Sequence, residues 1–297
     1  MILKFTKMEG AGNDFVFIDD RDGQIKLTVE QLQRLCDRRF GIGADQVIVV
    51  RNSRDADFRM DIYNADGSQV EMCGNGVRCF AKYLKDKKIT DKTELTIETL
   101  AGPIATTIIE NKTVNVPQAK DTSWVKVDMG APILEGEDIP VNAKGLIINH
   151  KLHLNGGKSF LKMGAGLSHD FLITCVSMGN PHCVIFVEDA TDFPIDAIGP
   201  EIENHTFFPN RVNVEFTTVL DRDNVVMRVW ERGSGQTLAC GTGACATAVA
   251  CVLNEKTNRK VRVHLKGGDL DIEWDEFNDH VYMTGPATSV FEGEINL

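Results

Sequence analysis

Glu71-Met72-Cys73-Gly74-Asn75-Gly76-Val77-Arg78 and Leu238-Ala239-Cys240-Gly241-Thr242-Gly243-Ala244-Cys245 are two copies of one motif, and their spacing decides the fold. Cys240 follows Cys73 by 167 residues. The same shift brings Gly12-Asn13 onto Gly179-Asn180, Gln46 onto Asn213 and Asn64 onto Glu231. Met60, Gln69, Gly74, Gly76 and Ala81 fall on identical residues, and no gap is needed. A register held from position 12 to position 81 reads as a duplicated domain. Each copy supplies one thiol to a shared site.

Each motif is flanked alike. Phe58 to Tyr63 reads as a strand, Asn64-Ala65-Asp66-Gly67-Ser68 as a turn, and Val77 to Leu84 carries helical spacing. In the second copy the strand is Val225 to Trp230, the turn Arg232-Gly233-Ser234-Gly235, and the helix Ala244 to Leu253. That last run is almost without polar side chains, the pattern of a helix buried nearly all round. The prediction is a helix enclosed by strands, once per half. Leu3 to Met8, Asp14 to Ile18 and Gln46 to Val50 add strands, and Leu95–Leu100 with Ile104–Glu110 a hairpin. Thr28 and Gln31 form a capping box for a helix to Arg38, which Gly41-Ile42-Gly43 ends. The halves should meet near Pro117 to Thr122. Val141 to Asp170 reads as irregular, with His150-Lys151-Leu152-His153 a loop lacking an acidic partner.

The chain has 297 residues, 42% of them hydrophobic, enough for a core in each half. A net charge of −11 argues against binding a phosphate backbone. The first residues are too short and polar for a signal peptide, and no run of 18 apolar residues suggests a membrane span. A cytoplasmic protein with reduced cysteines is expected. Cys79, Cys245 and Cys251 recur on an apolar helix face and read as core, with burial also expected for Cys36, Cys175 and Cys183. None of the spacings suits zinc, so no metal is expected.

The chemistry of the motif follows from where it stands. A helix start leaves N–H groups unpaired and carries partial positive charge. Glycines there let a small anion approach. The same field favours thiolate, lowering a thiol from about 8.5 into the range of about 3.5–7.5. Two such thiols can act as base and acid on opposite sides of one carbon, the equipment for inverting an amino-acid α-carbon. The paired polar residues Asn13/Asn180, Gln46/Asn213 and Asn64/Glu231 share the register of the cysteines and read as a site lining. His182, after Gly179-Asn180-Pro181, could be a surface histidine or could assist a thiol. Arg232 has no counterpart, its mate being Ala65, and could take a second carboxylate while Glu231 takes an ammonium. A switchable disulfide between Cys73 and Cys240 is the reading from a different class.

These residues resemble the diaminopimelate epimerase family, a group of pyridoxal-independent amino-acid epimerases. The resemblance lies in Gly10-Ala11-Gly12-Asn13-Asp14-Phe15, Gly43-Ala44-Asp45-Gln46, Tyr63-Asn64-Ala65-Asp66-Gly67-Ser68 and Met72-Cys73-Gly74-Asn75-Gly76-Val77-Arg78. It continues in Gly179-Asn180-Pro181-His182, Arg211-Val212-Asn213, Glu231-Arg232-Gly233 and Ala239-Cys240-Gly241-Thr242-Gly243. Gln236 departs from it, standing where an acidic residue is expected. The resemblance implies an α+β fold of two pseudo-symmetric domains, each a curled sheet or barrel around a central helix. The last strand would return to the first domain, giving 1–121 plus 286–297 and 122–285. The implied reaction interconverts LL- and meso-diaminopimelate, in lysine and peptidoglycan biosynthesis, without a cofactor. Cys73 and Cys240 would be the acid–base pair, supported by His182 and Glu231. Asn13, Gln46, Asn64, Asn180, Asn213, Glu231 and Arg232 would line the substrate site, with helix-start donors from Gly74, Asn75, Gly241 and Thr242. A homodimer that closes on substrate is also implied, as is the alternative of a racemase for another amino acid.

Overall fold

The structure, a computed structural model, describes residues 2–109, 121–154 and 170–297. It divides into two units, Met1–Asp128 with Thr284–Leu297, and Met129–Met283. In the first lie β1 (Ile2–Gly10), β2 (Asn13–Asp19), α1 (Val29–Cys36), β3 (Gln46–Arg51), β4 (Phe58–Asn64) and β5 (Gln69–Val70). These are followed by α2 (Gly74–Asp86), β6 (Glu94–Thr99), β7 (Gly102–Ile109) and β8 (Thr122–Asp128). The second unit holds β9 (His150–His153), β10 (Asp170–Ser177), β11 (Pro181–Phe186), α3 (Ile195–Glu203), β12 (Asn213–Val219) and β13 (Asn224–Glu231). Then come β14 (Gly235–Gln236), α4 (Gly241–Leu253), β15 (Lys260–Leu265) and β16 (Gly268–Trp274). The long β17 (Val281–Asn296) starts in the second unit and continues into the first.

The first unit is a closed eight-stranded barrel. β1 pairs antiparallel with β2, β2 parallel with β3, β3 antiparallel with β4 and β4 parallel with β6. β6, β7 and β8 follow antiparallel, and β17 joins β8 to β1. The second unit repeats the order: β10 to β11 antiparallel, β11 to β12 parallel, β12 to β13 antiparallel, β13 to β15 parallel and β15 to β16 antiparallel. The duplication extends to register. Phe15 stands opposite Gln46 and His182 opposite Asn213; Tyr63 faces Gln69 and Trp230 faces Gln236. Each pair maps onto its mate by the 167-residue shift.

The two central helices are where the sequence places them. α2 is buried continuously from Gly74 to Leu84, against β1, β7 and β8. α4 is buried over most of its length, among β10, β11, β12, β15 and β16. Side chains such as Phe15, Phe17 and Phe80 are fully buried in the first unit. Each contributes about 2–3 kcal/mol through burial. None of the cysteines is in a disulfide, and those read as core are buried.

Four details differ from the sequence reading. α1 carries the capping box of Thr28 and Gln31 but ends at Cys36, short of Arg38. The chain turns back there so closely that a Cβ on Gly41 would lie 1.6 Å from the Arg34 carbonyl oxygen, which only glycine allows. The division falls at Asp128/Met129 and Met283/Thr284, since β8 is hydrogen-bonded to β7. Within Val141 to Asp170, residues 155–169 lie outside the described residues. The rest is built into the fold: Val141, Ile147, Leu152 and Leu154 join the second core. His150 to His153 is strand β9, paired with β10, and Asp170 binds both His153 (2.7 Å) and Lys151 (2.6 Å). Alternation with Leu152 buried makes it a strand.

Candidate active site

Both cysteines occupy the N-cap of their helix with nearly the same backbone, φ −142° and ψ 111° at Cys73, φ −124° and ψ 112° at Cys240. The first helical bond is Val77 N–H to the Cys73 carbonyl in one unit and Ala244 N–H to the Cys240 carbonyl in the other, both 2.9 Å. The N–H groups of Gly74, Asn75 and Gly76, and of Gly241, Thr242 and Gly243, therefore precede the regular ladder. They form the anion-binding end of a helix.

The sulfurs are held differently. Cys73 Sγ donates to Asn13 Oδ1 at 3.5 Å, and Asn75 Nδ2 donates to the same oxygen at 3.4 Å. Asn13 Nδ2 in turn donates to Asp45 Oδ2 at 2.8 Å. Cys240 Sγ accepts from Gly243 N–H at 3.4 Å and lies 3.5 Å from Thr242 Oγ1. Gln46 Nε2 donates to Asn64 Oδ1 at 2.9 Å, and Asn64 Nδ2 reaches Ser68 Oγ at 3.2 Å. Gln46 Oε1 and Asn75 Oδ1 are buried without a partner among the described residues, and the second of these acceptors stands at the Cys73 helix start.

In the second unit Asn213 spans two segments, donating from Nδ2 to Pro181 O (2.9 Å) and accepting from Arg232 N–H (3.0 Å). The Arg232 guanidinium reaches Asn210 O at 3.1 Å. The Glu231 carboxylate accepts from the Thr237 hydroxyl. His182 is fully buried, with Nε2 3.0 Å from Asn180 Oδ1 and Nδ1 2.7 Å from Glu215 Oε1.

The electrostatics around Cys240 oppose the pull of its helix start. Burial, and then the carboxylates of Glu231 and Glu215, push its thiol well above the ordinary cysteine value. Thr242 and Gly243 pull the other way and are outweighed. The helix start alone would favour thiolate. Desolvation and two like charges favour the neutral thiol of Cys240 in the ligand-free protein.

Comparison with known proteins bears on what this pair of helix starts does. The profile of the family described as "Diaminopimelate epimerase" matches residues 5–134 and 174–290. The chain belongs to the diaminopimelate epimerase family. It is 50% identical over 299 residues to the diaminopimelate epimerase of Leptospira biflexa, covering all of both chains. It is 48% identical over 297 residues to that of Methanococcus maripaludis, covering 99% of this chain and all of the other. Solved structures share the fold at low identity. A phenazine biosynthesis protein of the PhzF family from Bacillus anthracis has a TM-score of 0.67 at 18% identity, covering 100% of both chains. A hydroxyproline epimerase from Agrobacterium vitis has a TM-score of 0.64 at 12%, covering 100% of this chain and 93% of the other.

Two residues that hydrogen-bond to predicted site residues escaped the sequence reading. Asp45 orients Asn13, yet its mate under the shift is Val212; Glu215 holds His182, and its mate is Ile48. Matching the halves reveals polar residues that recur and passes over those present once. Burial of a carboxylate in a strand that otherwise reads as core was the signal available for Glu215. Among the described residues no cluster of metal-ligating side chains occurs, and no helix is long and apolar enough to cross a membrane.

Proposed function

We propose that the protein interconverts LL- and meso-diaminopimelate by transferring protons at one α-carbon with two cysteines. Family membership supports the substrate; the duplicated helix-start cysteines support the mechanism. The carrying observation is that the two thiols share a backbone setting and differ in their surroundings. Cys73, which as thiol donates to Asn13 Oδ1, takes the α-proton in one direction after losing its own proton to become thiolate. Cys240, held as thiol, returns a proton to the other side of the carbon, and the roles reverse for the back reaction. The N–H groups of Gly74, Asn75, Gly241 and Thr242 take up charge developing on the α-carboxylate.

Asn13, Gln46, Asn64, Asn180 and Asn213 fix the substrate's polar groups. Arg232 takes the distal carboxylate and Glu231 an ammonium, which selects a substrate with two amino-acid ends. His182 and Glu231 support the thiols. No cofactor takes part in this scheme. The enzyme serves lysine and peptidoglycan biosynthesis in the cytoplasm as a homodimer, in line with the family resemblance; light scattering tests the dimer.

The test is proton NMR and mass spectrometry of LL-diaminopimelate in deuterated water, with reduced protein and no added cofactor. Deuterium at one α-carbon together with meso product is expected. Exchange into a different amino acid would keep the mechanism and move the substrate. No exchange into any amino acid, with activity that rises on oxidation, would replace the proposal with a thiol-redox reading.

A further inference from the structure

The two helix starts rest on different supports. In the first unit a Cβ on Gly76 would lie 2.9 Å from Ile48 Cδ1 and 3.4 Å from the Phe15 ring. Under the 167-residue shift Gly76, Ile48 and Phe15 become Gly243, Glu215 and His182. A Cβ on Gly243 would lie 2.7 Å from Glu215 Oε1. An apolar pair beneath one thiol is thus replaced by a fully buried acid and base beneath the other, joined at 2.7 Å.

An ionisable pair removed from water carries a desolvation cost that an apolar pair of similar volume does not. The Phe15–Ile48 arrangement shows that the fold itself accepts apolar residues at these positions. Glu215 Oε1 accepts from His182 Nδ1, fixing the ring so that Nε2 points at Asn180, the mate of Asn13. Glu215 also lies against Gly243, whose N–H donates to Cys240 Sγ. Its other oxygen, Oε2, is buried without a partner among the described residues. The groups facing Cys240 are then Glu231 from β13, Glu215 from β12, and Thr242 and Gly243 from α4, with His182 of β11 behind Glu215.

We propose that Glu215 is a positioning residue for proton transfer at Cys240: it orients His182, and through it Asn180, and so makes the two thiols inequivalent. The kinetic arm of the test rests on the epimerase reading; the titration arm does not. Two variants are compared, Glu215→Gln and the double variant His182→Phe/Glu215→Ile, which installs the pair already present in the first unit. Cys240 is followed by ¹³Cβ-cysteine NMR across pH in a Cys73→Ser background, and Cys73 in a Cys240→Ser background. Kinetics are measured with both cysteines present.

In both variants kcat is expected to fall on the order of 10²-fold with KM within about threefold. The Cys240 midpoint should move by about one pH unit while that of Cys73 stays. The double variant keeps the test decisive if Glu215→Gln fails to fold. A kcat within about threefold of the unaltered protein, an unmoved Cys240 midpoint, or equal movement of both thiols would overturn the proposal. Absence of epimerase activity in the unaltered protein would sink the proposed function and leave the titration to decide on Glu215.

Discussion

Asp45 Oδ2 accepts from Asn13 Nδ2 at 2.8 Å, and this bond decides which end of the Asn13 amide faces Cys73. With Nδ2 engaged, the carbonyl oxygen is presented to the sulfur. The Asp45→Ala variant frees the amide to rotate. Its kcat is expected to drop about tenfold, with a stability loss near 1 kcal/mol, because Asp45 is partly exposed. Steady-state kinetics beside a urea titration would check this; an unchanged kcat would show that Asp45 does not set the amide.

Asp14 binds the buried Lys7 at 2.6 Å and Arg38 at 2.7 Å. Burial raises its carboxyl, but hydrogen bonds and charge from Arg38 and Lys7 outweigh that and hold it well below the usual carboxylate range. A depressed folded value means that its stabilisation is complete above the unfolded value of about 3.9 and is lost as pH falls below it. Asp14→Asn should cost about 3 kcal/mol at pH 7, since Lys7 loses its charged partner and keeps only the Gly43 carbonyl. The cost should shrink toward pH 2. Urea midpoints measured from pH 7 to pH 2 test the slope.

Gly76 and Gly243 predict an asymmetry. An added methyl at Gly76 meets the end of the Ile48 side chain, which can turn aside. At Gly243 it meets the Glu215 carboxylate at 2.7 Å and Cys240 Sγ at 3.2 Å. Gly243→Ala is therefore expected to lose on the order of 10²-fold in kcat, and Gly76→Ala about tenfold or less. Equal losses would contradict this reading of the two supports.

Cys73→Ala and Cys240→Ala should each lower epimerisation by at least about 10³-fold while leaving thermal unfolding within a few degrees. Near-normal turnover by either variant would end the two-cysteine scheme. In the ligand-free protein the Cys240 ¹³Cβ shift should report a thiol throughout neutral pH, because burial and two carboxylates oppose its ionisation.

The duplication made much of this legible from sequence. One register carried the enclosed helices, both N-cap cysteines and the paired amides, because selection for a repeated site leaves a repeated pattern. Residues that work on one side only left none. Glu215 lies in a strand whose first five positions are all buried, so neither alternation nor the shift marks it. The direction of the Cys240 shift was illegible for the same reason: it depends on carboxylates brought beneath the helix by β12 and β13. The strand at His150 was missed because its partner comes from β10, after residues 155–169.

The strand β17 has a consequence for how the protein is made. Residues Thr288 to Asn296 are the antiparallel partners of β1, so β1 pairs with a segment translated after the whole second unit. Until it leaves the ribosome, the barrel around α2 lacks one stave, and β1 and β8 keep open edges. The half translated first is thus the half completed last. A nascent chain stalled before residue 284 should hold its first barrel unclosed, dependent on chaperones to shield those edges, until β17 emerges.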